Sequence, residues 1–390
     1  MKRRRSLIPG MLFGLVAALI LFLGPLAPLL IRLGVEPVCI QGTFPGLHIV
    51  RCPEGTLPEE TLSTAPPPTA TATAPSPISF AAPIPMILDD DGSPDGMLAL
   101  LYFLQHPAFD VIAVTISPGE AHTEHFAGLV ARLLAGLGYN DIPVGYGREV
   151  PLSGNNAFPE PWRAATDDFW GVPLPDIDLP RQPQPASAVL LEVLTQTPEP
   201  VLMFVTGTHT NLAEALNLDA SITENIRSVA IMGGAIDVPG NIASDWPEID
   251  NAVAEWNIWV DPIAAHQVFT SGLPLQLVPL DATNQVVWTP EDATLWRSSE
   301  HPAGQYAADV LGWMLRSWFP EGVYAWDLVT AVAVTDTMLC RWENMAIDVI
   351  LEPETEQGWT RVIEGPPNVE VCLRPVATGM KARVGAILGP

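Results

Sequence analysis

From Ile84 to the C-terminus, short apolar runs alternate with longer segments of helical pattern. This alternation restricts the fold more than any other feature of the chain. Residues 85–88, 110–116 (DVIAVTI), 142–146, 201–206 (VLMFVT), 228–232 and 275–280 read as strands, apolar at successive positions rather than at every second one. Residues 96–106 (GMLALLYFLQH), 121–137, 211–218 and 262–269 read as the helices between them. Strands apolar on both faces need cover on both faces. The pattern therefore predicts an α/β domain with an open, mostly parallel central sheet flanked by helices. In such sheets ligands bind beyond the carboxyl ends of the strands. Those ends here carry DDDGSPDG, SPGEAH, TGTHTN and MGGA, rich in acids, Gly, Thr and Asn.

The chain before residue 84 reads differently. Lys2, Arg3, Arg4 and Arg5 precede residues 6–31, which contain no charged residue. A run of that length exceeds a signal-peptide core and matches a membrane span of about 20 residues. Residues 1–34 are expected to be an uncleaved signal anchor, a transmembrane helix with its basic end inside; the alternative is a long, cleaved signal peptide. The rest of the chain is expected outside the cytoplasm, anchored in the first case and secreted in the second. Cys39 and Cys52 bracket a short segment within 35–58, and Cys340 and Cys372 lie near the C-terminus. Two local disulfides are the simplest of the pairings that four cysteines permit. Residues 59–83 are rich in Pro, Thr and Ala and read as an extended linker, leaving 84–390 as the folded domain.

Composition removes several chemistries. Lys+Arg is 18 against Asp+Glu 44, a net charge of -26, and so acidic a surface repels phosphate backbones. No nucleic-acid partner is expected. The only lysines are Lys2 and Lys381, which excludes mechanisms that need a mid-chain lysine. No Cys/His cluster is present, so zinc is not expected. His122 and His125 read as surface residues at a helix start, and His209 as a neighbour of a bound ion or substrate.

Asp89, Asp90, Asp91 and Asp95 fall on one strand-to-helix turn. Carboxylates this close raise one another's pKa unless a cation neutralises them, and oxygen ligands favour calcium or magnesium. Helix capping by Ser93 or Asp95 accounts for one acid there, not for three in a row. Alone, ILDDDGS also resembles the start of the haloacid-dehalogenase phosphatases, with Asp89 as nucleophile and Asp91 as acid/base. That chemistry needs a downstream Lys or Arg followed by an acidic pair, and no acid follows Lys381.

A second resemblance covers far more chain. MILDDDGSPDGMLALLYFL, VIAVTISPGEAH, VTGTHTNLAEAL, SVAIMGGA, NAVAEWNIWVDPIAAHQVF, LPLDAT and AWDLVTAVAV occur in that order. Together they resemble the inosine-uridine-type nucleoside hydrolases over about residues 84–390. The first block is similar to the family's DxDPGxDD signature, and AEWNIWVDP to its AEFNI–DP element. The resemblance implies an open α/β fold, bound Ca2+ and hydrolysis of the N-glycosidic bond of ribonucleosides. It also admits a homo-oligomer, since family members are often dimers or tetramers.

By position, the resemblance makes Asp91 both a calcium ligand and the base that deprotonates the attacking water. It gives Asp95 the ribose hydroxyls, Thr210 a carbonyl ligand to calcium, and Asp327 the distal calcium carboxylate. Glu255 and Asn257 would hold the ribose, with Asn251 nearby, and Met232 would be an apolar contact. Gly96 stands where the pattern has its last acid, so Asp89, Asp90 or water is expected to fill that place, and Asp89 is counted among the metal ligands. Glu120 replaces an Asn that touches substrate. Trp326 replaces a His that serves many members as leaving-group acid; an aromatic there marks purine-preferring members. Trp162 and Trp170, in the Pro-rich 151–175 insertion, are candidates for the other wall of such a stack, and purine nucleosides are the expected substrates. The chemistry is self-consistent: carboxylates near the ring stabilise an oxocarbenium-like sugar, calcium acidifies a water, and a carboxylate takes its proton. The alternative is a non-catalytic, tethered nucleoside- or sugar-binding protein.

Overall fold

The structure, a computed structural model, describes residues 82–390 and two short antiparallel strands, Val38–Gln41 and His48–Arg51. The anchor expected at 1–34, the linker up to residue 81 and the side chains of Cys39 and Cys52 lie outside the described residues. Among the described residues no helix is long and apolar enough to cross a membrane. The chain divides into two compact units, Met1–Pro77 and Ile78–Pro390.

The second unit opens with β1 (Ile84–Asp90), α1 (Pro94–Gln105), β2 (Phe109–Ile116), α2 (Thr123–Gly136) and β3 (Val144–Tyr146). The Pro-rich insertion supplies α3 (Glu160–Asp167), and β4 (Gln184–Pro185) leads into α4 (Ala186–Gln196). Next come β5 (Val201–Val205), α5 (Thr210–Leu218), β6 (Ile226–Met232), α6 (Trp256–Val260), α7 (Pro262–Phe269) and β7 (Leu275–Val278). The chain ends with α8 (Pro302–Ser317), α9 (Trp326–Thr335), β8 (Cys340–Met345), β9 (Val369–Pro375) and α10 (Ala377–Leu388).

These strands form one nine-stranded sheet in the order β8-β9-β7-β6-β5-β1-β2-β3-β4. It is parallel except at one edge, where β8 runs antiparallel to β9. Cys340 and Cys372 are disulfide-bonded across that edge pair, as the simplest pairing expects. From β1 the chain winds outward through β2 and β3 to β4, then restarts at β5 and winds the other way. The switch point between β1 and β5 parts the loops and leaves a crevice at the carboxyl ends.

Strand alternation decides what faces that crevice. Met86 and Leu88 of β1, with Leu202 and Phe204 of β5, pack in the core shared with α1, α2, α8 and α9. Ile87, Met203 and Val205 point the other way, into the core shared with α4, α5 and α7. Continuing the alternation sends Asp90 to the α1/α9 side and Asp89 to the α5 side. Helix α1 begins with Pro94 and is capped by Ser93, whose side chain accepts the Gly96 N–H. The capping role expected of Ser93 is realised alongside the acids.

Candidate active site

A cleft of about 520 Å³ lies at the carboxyl ends of β1 and β5. Its charged lining is Asp91, Asp95, Glu120, Asp245, Glu255 and Asp327, and its polar lining includes Asn241, Asn257, Ser93 and Thr206. Aromatic residues line it as well, among them Trp162, Trp170, Trp256, Trp318 and Trp326.

Asp91 follows β1 directly. Its Oδ2 accepts the Glu120 N–H at 3.3 Å, while Oδ1, buried, has no partner. Two glycines make room for it. A Cβ at Gly207 would sit 2.7 Å from the Asp91 Cβ and backbone nitrogen, and one at Gly119 would fall on Asp91 Oδ2. Asp95, in the first turn of α1, accepts the Asp327 N–H at 3.1 Å. Asp327, in the first turn of α9, accepts the Ser93 hydroxyl at 2.7 Å. The two helix starts are thereby tied together. Glu255 caps α6, accepting the N–H groups of Asn257 and Gly234 at 3.0 Å each. Asn257 Nδ2 donates to the Thr206 carbonyl at 2.9 Å. Met232 ends β6 at the same cleft.

No Lys or Arg is among the cleft-lining residues. Burial pushes Asp89, Asp90 and Glu255 up to about 7 and Asp95 up to about 6. Burial first, and then neighbouring carboxylates, hold Asp91, Glu120 and Asp327 well above the usual carboxylate range. A hard cation suits this oxygen-only set, and the unpartnered Asp91 Oδ1 is a ready donor. No three His, Cys, Asp or Glu groups converge at metal-binding distance among the described residues. Thr206, which lines the cleft, donates its hydroxyl to Asp90 Oδ2 and accepts Asn257 Nδ2 at its carbonyl.

The aromatic lining falls into two groups. Trp326 is half-buried, with its Nε1 donating to Asn284 Oδ1 at 2.8 Å and its ring 6.3 Å from Trp318 and 5.8 Å from Tyr324. Trp162 lies 5.4 Å from Trp256, which stacks on Phe158 at 4.8 Å. Trp170 is buried in a tight turn where Phe169 and Trp170 both take positive φ, 48° and 53°, a backbone region costly for aromatic residues.

The family model of the inosine-uridine preferring nucleoside hydrolases matches residues 86–381. The chain belongs to this family. A relative named pyrimidine-specific ribonucleoside hydrolase RihA, from Citrobacter koseri, is 33% identical over 232 residues, covering 60% of this chain and 71% of that one. Among solved structures, a plant nucleoside hydrolase, PpNRh1, superposes with a TM-score of 0.68 at 26% identity, over 79% of this chain and 99% of that one. A purine-preferring ribonucleoside hydrolase from Gardnerella vaginalis shares the fold at a TM-score of 0.67 and 23% identity, over 78% and 99% of the two chains.

The structure brings Asp91, Asp95, Glu120, Trp162, Met232, Glu255, Asn257, Trp326 and Asp327 into one cleft, as the sequence expected. It does not bring four others there. Asp89 lies on the opposite face of β1, where Oδ1 accepts the Thr115 hydroxyl at 2.7 Å and Asn211 Nδ2 at 2.8 Å. Asp89, whose other oxygen Oδ2 is buried without a partner, is thus not at the cleft where the metal-ligand and phosphatase-nucleophile expectations put it. Thr210 is not among the cleft-lining residues and its hydroxyl donates to Asp261 at 2.7 Å; Thr206 does line the cleft. Asn251 pins its own loop, accepting the Val253 and Ala254 N–H groups and donating to the Gln357 carbonyl at 2.8 Å. His209 is buried with both ring nitrogens unpartnered, its ring 6.0 Å from Phe269, and burial lowers its pKa to about 3. His122 and His125 bond to Asp167 and do not line the cleft. The sequence reading missed Ser93 as a cleft residue, and Thr206, Trp313, Trp318 and Phe319 altogether. The aromatic density of WMLRSWF was the available signal for the last three.

The cleft acids bind protons more tightly in the folded chain than in the unfolded one, where their values are 3.8 for Asp and 4.5 for Glu. Stability held below those values is lost as pH rises toward about 7. In chelator, the melting temperature is expected to fall between about pH 4.5 and pH 7.5, and to fall less in Asp91→Asn, which removes one buried charge. Thermal denaturation across that range checks this; a flat profile would contradict it.

Proposed function

We propose that this chain hydrolyses the N-glycosidic bond of ribonucleosides, releasing base and ribose, with calcium held in the acidic cleft and purine nucleosides favoured. One observation carries the reading: Asp91, Asp95, Glu255, Asn257 and Asp327 share a cleft that is also lined by a group of aromatic side chains, Trp162, Trp256 and Trp326 among them. Carboxylates suit a sugar that turns cationic in the transition state, and indole rings suit a flat base.

Asp91, Asp327 and the Thr206 carbonyl are the groups that would hold calcium. When bound, the ion supplies charge that acidifies a water and orients ribose hydroxyls. Asp91 accepts the water's proton. Asp95 and Asn257 bind ribose hydroxyls, and Glu255 adds negative charge beside the ring as positive charge develops. Trp326 and Trp162 stack on the base; a stacked ring favours protonation of a purine at N7 as it leaves. Retention of these acids supports catalysis over the non-catalytic binding reading. Pyrimidine preference is the second reading, favoured by the names of the RihA relatives. The basic and then apolar N-terminus supports an activity outside the cytoplasm, at the membrane.

Asp91→Asn is expected to lower ribose release from inosine by about 10²–10⁴ without lowering the melting temperature, because the amide cannot take the proton. Full turnover in this variant would remove Asp91 as the base. Trp326→Ala is expected to cost about 1–3 kcal/mol in kcat/KM for inosine and less for uridine, whose smaller ring stacks less. Equal losses for both substrates with a lowered melting temperature would make Trp326 a packing residue and leave the base preference to the RihA reading.

A further inference from the structure

Gly96 has no conformational need to be glycine. It lies inside the first turn of α1 and is not among the glycines with positive φ. A glycine within a helix is less favourable than an alanine. What it provides is space. A Cβ at position 96 would fall on Asp90 Oδ2 and lie 2.8 Å from Asp90 Oδ1. The Asp90 carboxylate thus occupies the volume into which a side chain at 96 would project.

Asp90 is fully buried on the α1/α9 side of β1 and is not itself among the cleft-lining residues. Its Oδ1 accepts the Gly92 N–H at 2.8 Å, and its Oδ2 accepts the Thr206 hydroxyl at 2.9 Å. The Ser93 hydroxyl lies 3.5 Å from Asp90 Oδ2 and donates to Asp327 at 2.7 Å, so one hydroxyl spans the two carboxylates. Asp91, the next residue, lines the cleft and holds a buried, unpartnered Oδ1. We propose that Asp90 is a cation-ligating carboxylate of this chain, delivered from the end of β1 into the space that Gly96 leaves open, in place of the family's acid at position 96. Asp90 and Gly96 are then a matched pair, each requiring the other. The proposal rests on the reading that the cleft binds a cation.

A reciprocal swap tests it on the full chain. Calcium chloride is titrated calorimetrically into wild type, Asp90→Asn, Gly96→Asp and the double variant Asp90→Ser/Gly96→Asp. Melting temperature in chelator and ribose release from inosine are measured alongside. Asp90→Asn is expected to weaken calcium binding about tenfold or more, since calcium affinity follows the number of charged ligands. Gly96→Asp alone is expected to melt lower in chelator and to bind no more tightly, because its side chain meets Asp90. The double variant is expected to bind better than either single one, with the carboxylate moved to the other position. Wild-type affinity in Asp90→Asn, or a double variant no better than the singles, overturns the proposal and leaves the cation reading standing. Ribose release by a wild type that takes up no calcium overturns the cation reading and the proposal together.

Discussion

Asp90, Asp91, Asp95 and Asp327 are buried together, and no basic side chain lines the cleft beside them. Concentrated like charge of this kind is unfavourable unless something positive answers it. The surrounding structure is arranged to tolerate it. Backbone N–H groups of Gly92, Glu120 and Asp327, and hydroxyls of Ser93 and Thr206, each donate to one of these acids. Gly119 and Gly207 let backbone approach Asp91 where a side chain would collide with it. The topology makes the gathering possible. Asp90 and Asp91 come from β1, Thr206 from β5, and Asp327 from the start of α9, around the switch point of the sheet.

The sheet was legible because its central strands are buried on both faces and therefore continuously apolar. The edges were not. β4 is two exposed residues, Gln184–Pro185, and β8, CRWENM, is a partly exposed antiparallel edge with a polar sequence. The site was legible where a motif fixes a residue's identity and less so where orientation matters. Position counting treats Asp89, Asp90 and Asp91 alike, whereas strand alternation sends Asp89 to Asn211 and Asp90 to Thr206. The same phase separates the threonines of TGTHTN: Thr206 continues the Phe204 face, while Thr210 begins a helix and turns to Asp261. Trp313, Trp318 and Phe319 reach the cleft only through packing of α8 against α1, a contact no local pattern announces.

Two departures from the family pattern give this member its own character. At the sugar end, position 96 lacks a carboxylate and the Asp90 side chain occupies the space beside it, as the proposed counterpart. At the base end, Trp326 stands where an imidazole would offer a proton, and no histidine is among the cleft-lining residues. In the proposed function, departure of the base leans on stacking by Trp326, whose ring neighbours are Trp318 and Tyr324. Both departures presume the same centre, a cation among the acids with a nucleoside above it.

Release of reducing sugar from inosine by the purified protein, in chelator and after calcium is restored, tests that centre most directly. Ribose and free hypoxanthine are expected in equal amounts with calcium, neither in chelator, with recovery when calcium is added back. Undiminished release in chelator, or no release from any nucleoside with calcium present, would contradict it.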